Sequence, residues 1–198
     1  MNYHFAFDLD STVTMCELLP LLAREAGCAA EMRLRTERAM RGEVDFAADF
    51  AGRVALLAEL PLSRAREIAA GVPVHPGIAR FLQTYRERCT ILTGNLDVWI
   101  EPLIERLGMT GRCRCSKGRM TNGRVALAAV LDKAEAARAL PRPLVAVGDG
   151  GNDIGMLRAA DFAVAFGGVR TPCPALLAAA DMAVYSEEEL LRELSCRV

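Results

Sequence analysis

Three short apolar runs in this chain stop abruptly at polar, oxygen-bearing residues. HFAF ends in DLDST at residues 8–12, CTIL ends in TGN at 93–95, and PLVAVG ends in GDGGND at 148–153. Helical patterns separate the runs, and this alternation is typical of a parallel sheet with helices on both faces. The carboxyl ends of parallel strands share one edge of the sheet, where ligands bind. The residues expected to converge there are Asp8, Asp10, Thr93, Asp149 and Asp153.

A long helical stretch interrupts this alternation directly after the first strand. Residues 45–60, DFAADFAGRVALLAEL, repeat apolar side chains at intervals of three and four, which predicts a helix with one buried face. The stretch as a whole runs over residues 15–72. We therefore predict a Rossmann-like, doubly wound α/β core of residues 1–14 and 73–198, with a helical cap subdomain of residues 15–72 inserted into it.

Size and charge give no support to several classes of function. A chain of 198 residues suits one core with an inserted subdomain, and the formal net charge is −1 with acids and bases intermixed. No basic tract indicates a nucleic-acid or membrane partner. No apolar stretch reaches the roughly 20 residues that cross a bilayer, and Asp8 and Asp10 interrupt the first apolar run, which argues against a secretory signal.

The seven cysteines are an odd number without regular spacing. This usage predicts reduced thiols in a cytoplasmic protein rather than a disulfide framework. Cys113 and Cys115 form a close pair, but two possible ligands with no second pair are a weak signal for zinc or redox chemistry.

Several carboxylates at one sheet edge, with no arginine close by in sequence, require a cation. Buried like charges repel and raise one another's pKa unless a positive charge intervenes. A hard divalent ion with oxygen ligands answers that need, so we expect Mg²⁺ as the cofactor. The alternative for residues 8–12 is an ordinary acidic turn, since Asp is common in turns.

The GDGGND segment and Lys133 each have more than one interpretation. GDGGND is neither a calcium loop, because Ile154 stands where glycine is needed, nor a dinucleotide fingerprint, because Asp153 replaces the third glycine. Lys133 follows a plausible N-cap, Asp132, in the first turn of a helix. A lysine opposes the helix dipole there, which a nearby anion would explain, although most single lysines are solvated.

Together these groups suit phosphoryl transfer through a covalent aspartyl phosphate. One carboxylate attacks phosphorus, a metal and a lysine neutralise the phosphoryl oxygens, and a hydroxyl donates to one of them. A second carboxylate protonates the leaving alcohol and then deprotonates the attacking water. The pair Asp8 and Asp10 fits these two roles if their environments separate their pKa values.

The sequence resembles the haloacid-dehalogenase-like phosphatase superfamily, whose pattern is DxDx[TV], a Ser or Thr, a Lys, and GDGxND. These appear in order as DLDST, Thr93, Lys133 and GDGGND. Within the superfamily the chain is similar to the phosphoserine phosphatase subfamily along its whole length. DLDSTVTMCE at residues 8–17 and TERAMRGEVDFAADFAGRVALL at 36–57 carry that closer resemblance.

The resemblance implies roles for individual residues. Asp8 would be the nucleophile and Asp10 the general acid and base. Asp8, Asp149 and the carbonyl oxygen of Asp10 would bind Mg²⁺, with Asp153 behind the metal waters. The residues that would contact phosphate or substrate are Thr93, Gly94, Lys133, Asn152, Glu17, Met40, Phe46 and Arg53. Of these, Glu17 would meet a substrate ammonium and Arg53 a substrate carboxylate.

The implied activity is hydrolysis of L-phosphoserine in serine biosynthesis, by a monomer or homodimer. Alternatives are another small phosphorylated metabolite, such as phosphohomoserine, phosphothreonine or phosphoethanolamine, transfer of phosphate to an alcohol, or, more remotely, a receiver-like signalling domain. Two residues leave the substrate open. Asn95 stands where the subfamily has a second glycine, and Arg53 has a structural alternative, a salt bridge to Glu43 or Asp49.

Overall fold

The computed structural model describes residues 2–40 and 46–198, without the side chains at positions 37, 39, 40 and 46–48. The predicted substrate contacts of Met40 and Phe46, and the alternative partner Glu43, therefore lie outside the described residues.

One sheet of seven strands forms the centre of the described molecule, in the order β4-β3-β2-β1-β5-β6-β7. The strands are β1 (His4–Phe7), β2 (Cys89–Leu96), β3 (Cys113–Thr121), β4 (Arg124–Ala129), β5 (Leu144–Gly148), β6 (Phe162–Phe166) and β7 (Met182–Val184). All neighbouring pairs are parallel except β3 and β4. The predicted doubly wound α/β core is confirmed.

Helices cover both faces of this sheet because successive side chains of a strand point to opposite faces. Phe5 and Phe7 of β1 belong to one hydrophobic cluster, and Ala6 belongs to the other. The helices are α1 (Leu18–Glu25), α2 (Ala29–Met40), α3 (Phe46–Leu56), α4 (Leu62–Gly71), α5 (Pro76–Thr84), α6 (Asp97–Arg106), α7 (Lys133–Arg138), α8 (Ile154–Arg158), α9 (Pro174–Leu177) and α10 (Glu187–Ser195). The first cluster extends into α1–α4, so the helical stretch and the sheet share one core.

The chain leaves the sheet for α1–α4 and returns to it through two adjacent segments. The amide of Met15 donates to the carbonyl of Pro73 at 2.9 Å, and the amide of His75 donates to that of Val13 at 3.0 Å. An isolated antiparallel bridge joins Thr14 to Val74 between them. This junction supports the proposed division into a core of residues 1–14 and 73–198 and a cap of residues 15–72.

The sequence of residues 113–126 predicts irregular structure with short strands around an Asn122-Gly123 turn, and the structure shows a regular hairpin of β3 and β4 about that turn. Both turn residues have positive φ, 51° and 76°. Asn-Gly is the favoured pair for a two-residue hairpin turn of this kind. The hairpin extends the sheet beyond the parallel strands, away from the strand ends that were predicted to carry the chemistry.

Two structural findings concern the membrane helix and the disulfide framework that the sequence argues against. Within residues 2–40 and 46–198, no helix combines the length and apolar character needed to pass through a bilayer. All seven cysteines are free of disulfide bonds.

We predict that Leu82→Ala lowers the free energy of unfolding by about 2–5 kcal/mol, the usual range for opening a cavity at a buried leucine. Leu82 of α5 is fully buried beneath the sheet. Leu34→Ala is the matched control and should change stability by less than about 0.5 kcal/mol, because 58% of the residue is exposed. Urea denaturation measures both, and equal losses would contradict the packing described for α5.

Candidate active site

The strand ends predicted to converge do line one cavity of about 540 Å³. It lies where the chain order reverses, because β1 is followed by β2 on one side and has β5 on the other. The predicted site residues that line it are Asp8, Asp10, Glu17, Arg53, Thr93, Gly94, Lys133, Asp149 and Asn152. Asp153 lies behind this wall and is fully buried.

A short turned segment after β1 positions the second aspartate and Glu17. Ser11 has φ of 57°, in the left-handed region that non-glycine residues rarely adopt. The Thr14 hydroxyl stabilises the turn by accepting from the Ser11 amide at 3.2 Å and donating to the Cys16 carbonyl at 2.7 Å. The chain thereby folds back, and Glu17 comes within 3.4 Å of the Ser11 hydroxyl.

Lys133 is the buried cation of the site, not a solvated helix lysine. Asp132 caps α7 by accepting from the amides of Ala134 and Glu135 at 2.8 and 3.0 Å, which fixes Lys133 in the first turn. Its ammonium donates to Asp8 and, at 2.6 Å, to Asp153. Burial opposes the charged ammonium, but the two carboxylates outweigh burial and raise the pKa of Lys133.

Three buried carboxylates lie close together, and two of them, Asp8 and Asp153, contact this ammonium. Oxygens of Asp8, Asp149 and Asp153 lie within 4.8 Å of one another. Burial and the neighbouring Asp153 raise the pKa of Asp8 to about 7, and burial and Asp8 raise the pKa of Asp149 to about 8. The cluster is therefore short of positive charge, and an oxygen-only donor set of this kind suits Mg²⁺.

Asp153 is held by the backbone of the loop that carries Asp149. Its Oδ2 accepts from the amides of Asp149 and Gly150 at 3.1 and 3.0 Å. A Cβ at Gly148 would lie 2.6 Å from the Cβ of Asp153. Gly148 therefore allows close packing behind the site, whereas a Cβ at Gly151 would meet nothing within 4 Å.

Asp10 has an environment different from that of Asp8. Burial, then Glu17 and Asp8, raise the pKa of Asp10 well above its ordinary value, and a hydrogen bond from Asn95 offsets part of that rise. Its Oδ1 is buried without a hydrogen-bond partner among the described residues. Asp10 is thus disposed to carry a proton, whereas Asp8 is paired directly with Lys133.

Thr93 does not end its strand, because β2 continues to Leu96. The Thr93 hydroxyl accepts from the backbone amide of Asn95 at 3.2 Å and from its side-chain amide at 3.3 Å. With its lone pairs occupied, the hydroxyl proton is free to be donated into the cavity. Asn95, which the sequence marked as a departure without a role, therefore orients Thr93.

Arg53 has the structural partner that was left open in the sequence. Its Nε lies 2.8 Å from Oδ2 of Asp49, one helical turn away in α3, and only 8% of the residue is exposed. Arg53 nevertheless lines the cavity. The salt bridge and a contact with substrate are therefore compatible.

Arg170 is the residue that sequence reasoning missed. It lies in the loop after β6, and its guanidinium contacts Asp149 at 2.5 Å and Glu17 at 2.8 Å. Its position in the sequence could have identified it, because β6 ends at the same edge of the sheet as β1 and β5. The loop GGVRTPC at residues 167–173 contains no acidic residue, and its one hydroxyl residue, Thr171, does not directly follow the strand.

Comparison with known proteins identifies relatives of this arrangement. The family model for haloacid dehalogenase-like hydrolases matches residues 5–158. A phosphoserine phosphatase from Halobacterium salinarum is 34% identical over 205 residues, covering 96% of this chain and 95% of the relative. One from Mycobacterium tuberculosis is 36% identical over 177 residues, covering 81% of this chain and 43% of the relative.

The chain spans about half or less of the length of several relatives. The match covers 42% of the length of a phosphoserine phosphatase from Streptomyces coelicolor and 51% of one from Archaeoglobus fulgidus. Among solved structures, a phospho-aspartyl intermediate analogue of phosphoserine phosphatase matches with a TM-score of 0.81 at 24% identity, covering 98% of this chain and 99% of the other. That likeness shows a shared fold.

We predict that Lys133→Met lowers the free energy of unfolding by about 3–5 kcal/mol at pH 8, because it leaves buried carboxylates without their cation. The loss should shrink at pH 5, where Asp8, with its raised pKa, is protonated in the folded state. Urea denaturation at both pH values measures this.

Lys117→Met is the matched control for this substitution. Lys117 is 3.2 Å from Asp97, but its side chain is 59% exposed, so its loss should cost at most about 1 kcal/mol at either pH. A Lys133 loss no larger than that of Lys117 would contradict the buried cation.

Proposed function

The chain belongs to the haloacid dehalogenase-like hydrolase family, and we propose that it is a Mg²⁺-dependent phosphomonoester hydrolase with L-phosphoserine as its leading substrate. The observation that carries the proposal is Asp8, buried at the end of β1, paired with Lys133 and followed two positions later by Asp10. The relatives named phosphoserine phosphatase support the choice of substrate.

The proposed first step is attack by an oxygen of Asp8 on phosphorus, which breaks the bond from phosphorus to the substrate oxygen. Lys133, already within hydrogen-bonding distance of Asp8, would offset the charge of the phosphoryl oxygens. The Thr93 hydroxyl would donate a hydrogen bond to one of those oxygens. Such fixed donors, aimed at developing charge in a site that excludes water, supply much of the rate enhancement in phosphoryl transfer.

Asp10 would protonate the departing alcohol oxygen in that step. Its raised pKa keeps a proton on the carboxyl group near neutral pH, as an acid requires. In the second step the resulting carboxylate would take a proton from water, whose oxygen attacks phosphorus and releases phosphate from Asp8. One residue then serves both steps, and the enzyme returns to its starting protonation state.

The proposed Mg²⁺ would be held by Asp8, Asp149 and the carbonyl oxygen of Asp10, with Asp153 behind them. When bound, it supplies positive charge that keeps the carboxylates ionised and offsets the charge of the phosphate. The fit is supported by the close approach of the oxygens of Asp8, Asp149 and Asp153 and by the raised pKa values of Asp8 and Asp149. The close approach of the carboxylate oxygens and their raised pKa values each favour binding of a cation in addition to Lys133.

The cap would supply the contacts that select the substrate. Arg53 of α3 would bind the carboxylate of phosphoserine, while its bond to Asp49 holds the guanidinium in place. Glu17 would face the ammonium, Asn152 and Gly94 would lie near the phosphate, and Met40 and Phe46 would complete the pocket. A cap that closes over the site would exclude water from the aspartyl phosphate.

Other assignments have less support. Hydrolysis of another small phosphate ester, or transfer of phosphate to an alcohol, uses the same residues and is separated from the proposal only by substrate. A receiver domain needs a lasting acyl phosphate, whereas Asp10 lies two residues from Asp8 and is disposed to carry protons. The α1–α4 insertion is also foreign to a small receiver.

We predict that the protein with Mg²⁺ releases phosphate from phosphoserine faster than from phosphothreonine, phosphoethanolamine or phosphohomoserine. Asp8→Asn should lower this activity at least about 10³-fold, because it removes the nucleophile while keeping the shape of the side chain. Phosphate release in a screen of these esters measures both. An Asp8→Asn variant with full activity would remove Asp8 from the mechanism, and a preference for another ester would replace phosphoserine.

We predict that Mg²⁺ raises the melting temperature of the protein, since an ion that binds only the folded state stabilises it. Asp149→Asn should abolish most of this shift, because it removes one charged ligand. Glu188→Gln, the same change at an exposed carboxylate of α10, should leave the shift intact. Equal shifts in all three proteins would place the ion elsewhere.

A further inference from the structure

Arg170 joins two parts of the site that have different tasks. Its Nε donates to Oδ2 of Asp149, in the acidic cluster at the floor of the cavity. Its Nη1 lies 2.8 Å from Oε1 of Glu17, on the wall where a substrate head group would stand. The two contacts use different nitrogens, so a change at Asp149 does not by itself release Glu17.

The loop that carries Arg170 is fixed by close packing. A Cβ at Gly167 would lie 2.5 Å from the Tyr185 ring, and one at Gly168 would lie 2.2 Å from the Phe166 ring. A Cβ at Gly150 would lie 3.1 Å from Nη2 of Arg170 itself. Gly167 and Gly168 therefore permit the close packing of the loop, and Gly150 leaves space for the guanidinium of Arg170.

The ion pair changes what Glu17 offers to a ligand. The side chains of Arg170 and Glu17 are 30% and 31% exposed, so the pair is at the cavity surface and accessible to a competing cation. A free carboxylate on a cavity wall attracts an ammonium, but a carboxylate paired with a guanidinium presents little net charge. An entering ammonium has to displace a cation that is tethered beside it at high effective concentration.

We propose that Arg170 is a specificity-determining residue, which neutralises Glu17 and opens the site to small phosphorylated carboxylic acids that lack an ammonium group. This inference rests on the proposed phosphatase function and deepens it, since it concerns the head group of the substrate. Specificity is a difference of two affinities, and a competing internal cation lowers the affinity for one class of substrate alone.

The test compares phosphoserine with 3-phosphoglycerate, which carries a hydroxyl group where phosphoserine carries an ammonium. The quantity is the ratio of kcat/KM for the two esters. Arg170→Gln should raise this ratio in favour of phosphoserine about tenfold, which corresponds to about 1.4 kcal/mol. Arg170→Lys keeps the positive charge and should shift the ratio much less. Arg119→Gln, which removes an exposed arginine from β3, should leave it unchanged.

A double-mutant cycle isolates the contact with Glu17. In the Glu17→Gln background position 17 has no charge for Arg170 to neutralise, so Arg170→Gln should no longer shift the ratio. A shift of the same size in both backgrounds would mean that Arg170 acts through another group. An unchanged or lowered ratio, or an equal loss on both esters, would overturn the proposal.

Measurements of binding test the role of Arg170 separately from the proposed function. The dissociation constants of both esters are measured on Asp8→Asn protein with and without Arg170→Gln, so that the comparison does not need turnover. A wild-type protein that hydrolyses no phosphate ester would end the proposed function, yet the ratio of dissociation constants would still decide the role of Arg170. A ratio that Arg170→Gln leaves unchanged would overturn that role even in an active enzyme.

Discussion

The pairing of buried carboxylates with a limited number of cations is the constraint on which the site depends. Asp8, Asp149 and Asp153 lie together with Lys133, and Arg170 reaches Asp149 from the neighbouring loop. Leaving a buried charge unpaired costs several kcal/mol, so each acid must be protonated, paired or bound to a metal. Burial is the main cause of the raised pKa values of Asp8 and Asp149, and the charges of Lys133 and Arg170 offset it only in part.

The topology of the sheet brings these charged side chains together. β1 and β5 are neighbours, and the chain departs from them in opposite directions, so a crevice opens at their carboxyl ends. Asp8 and Asp149 follow those strands directly, and α7 brings Lys133 between them through its capped first turn. The helices α1–α4 leave and re-enter through the paired segments at Thr14 and Val74, which places their cavity-facing residues over the same crevice.

In the proposed mechanism, chemistry and selectivity are assigned to different parts of this arrangement. The strand ends and Lys133 present the groups suited to act on phosphorus, and they follow the family pattern residue by residue. The wall that meets the rest of a substrate is more individual, with Asn95 bonded to Thr93 and Arg170 bonded to Glu17. A chain can therefore keep the reaction of its family while a few wall residues alter the molecules on which it acts.

The sequence by itself determined the α/β class and predicted the helical insertion and the convergence of Asp8, Asp10, Thr93, Asp149 and Asp153, because strand periodicity and parallel topology place strand ends at one edge. It also indicated the Asp132 cap and the Asn-Gly turn, which are local features. The sequence also offered Asp49, one helical turn away, as a partner of Arg53. Only the tertiary structure decided the partners of Arg170, because Glu17 and Asp149 lie in segments that are distant from it in the chain and meet it only through packing.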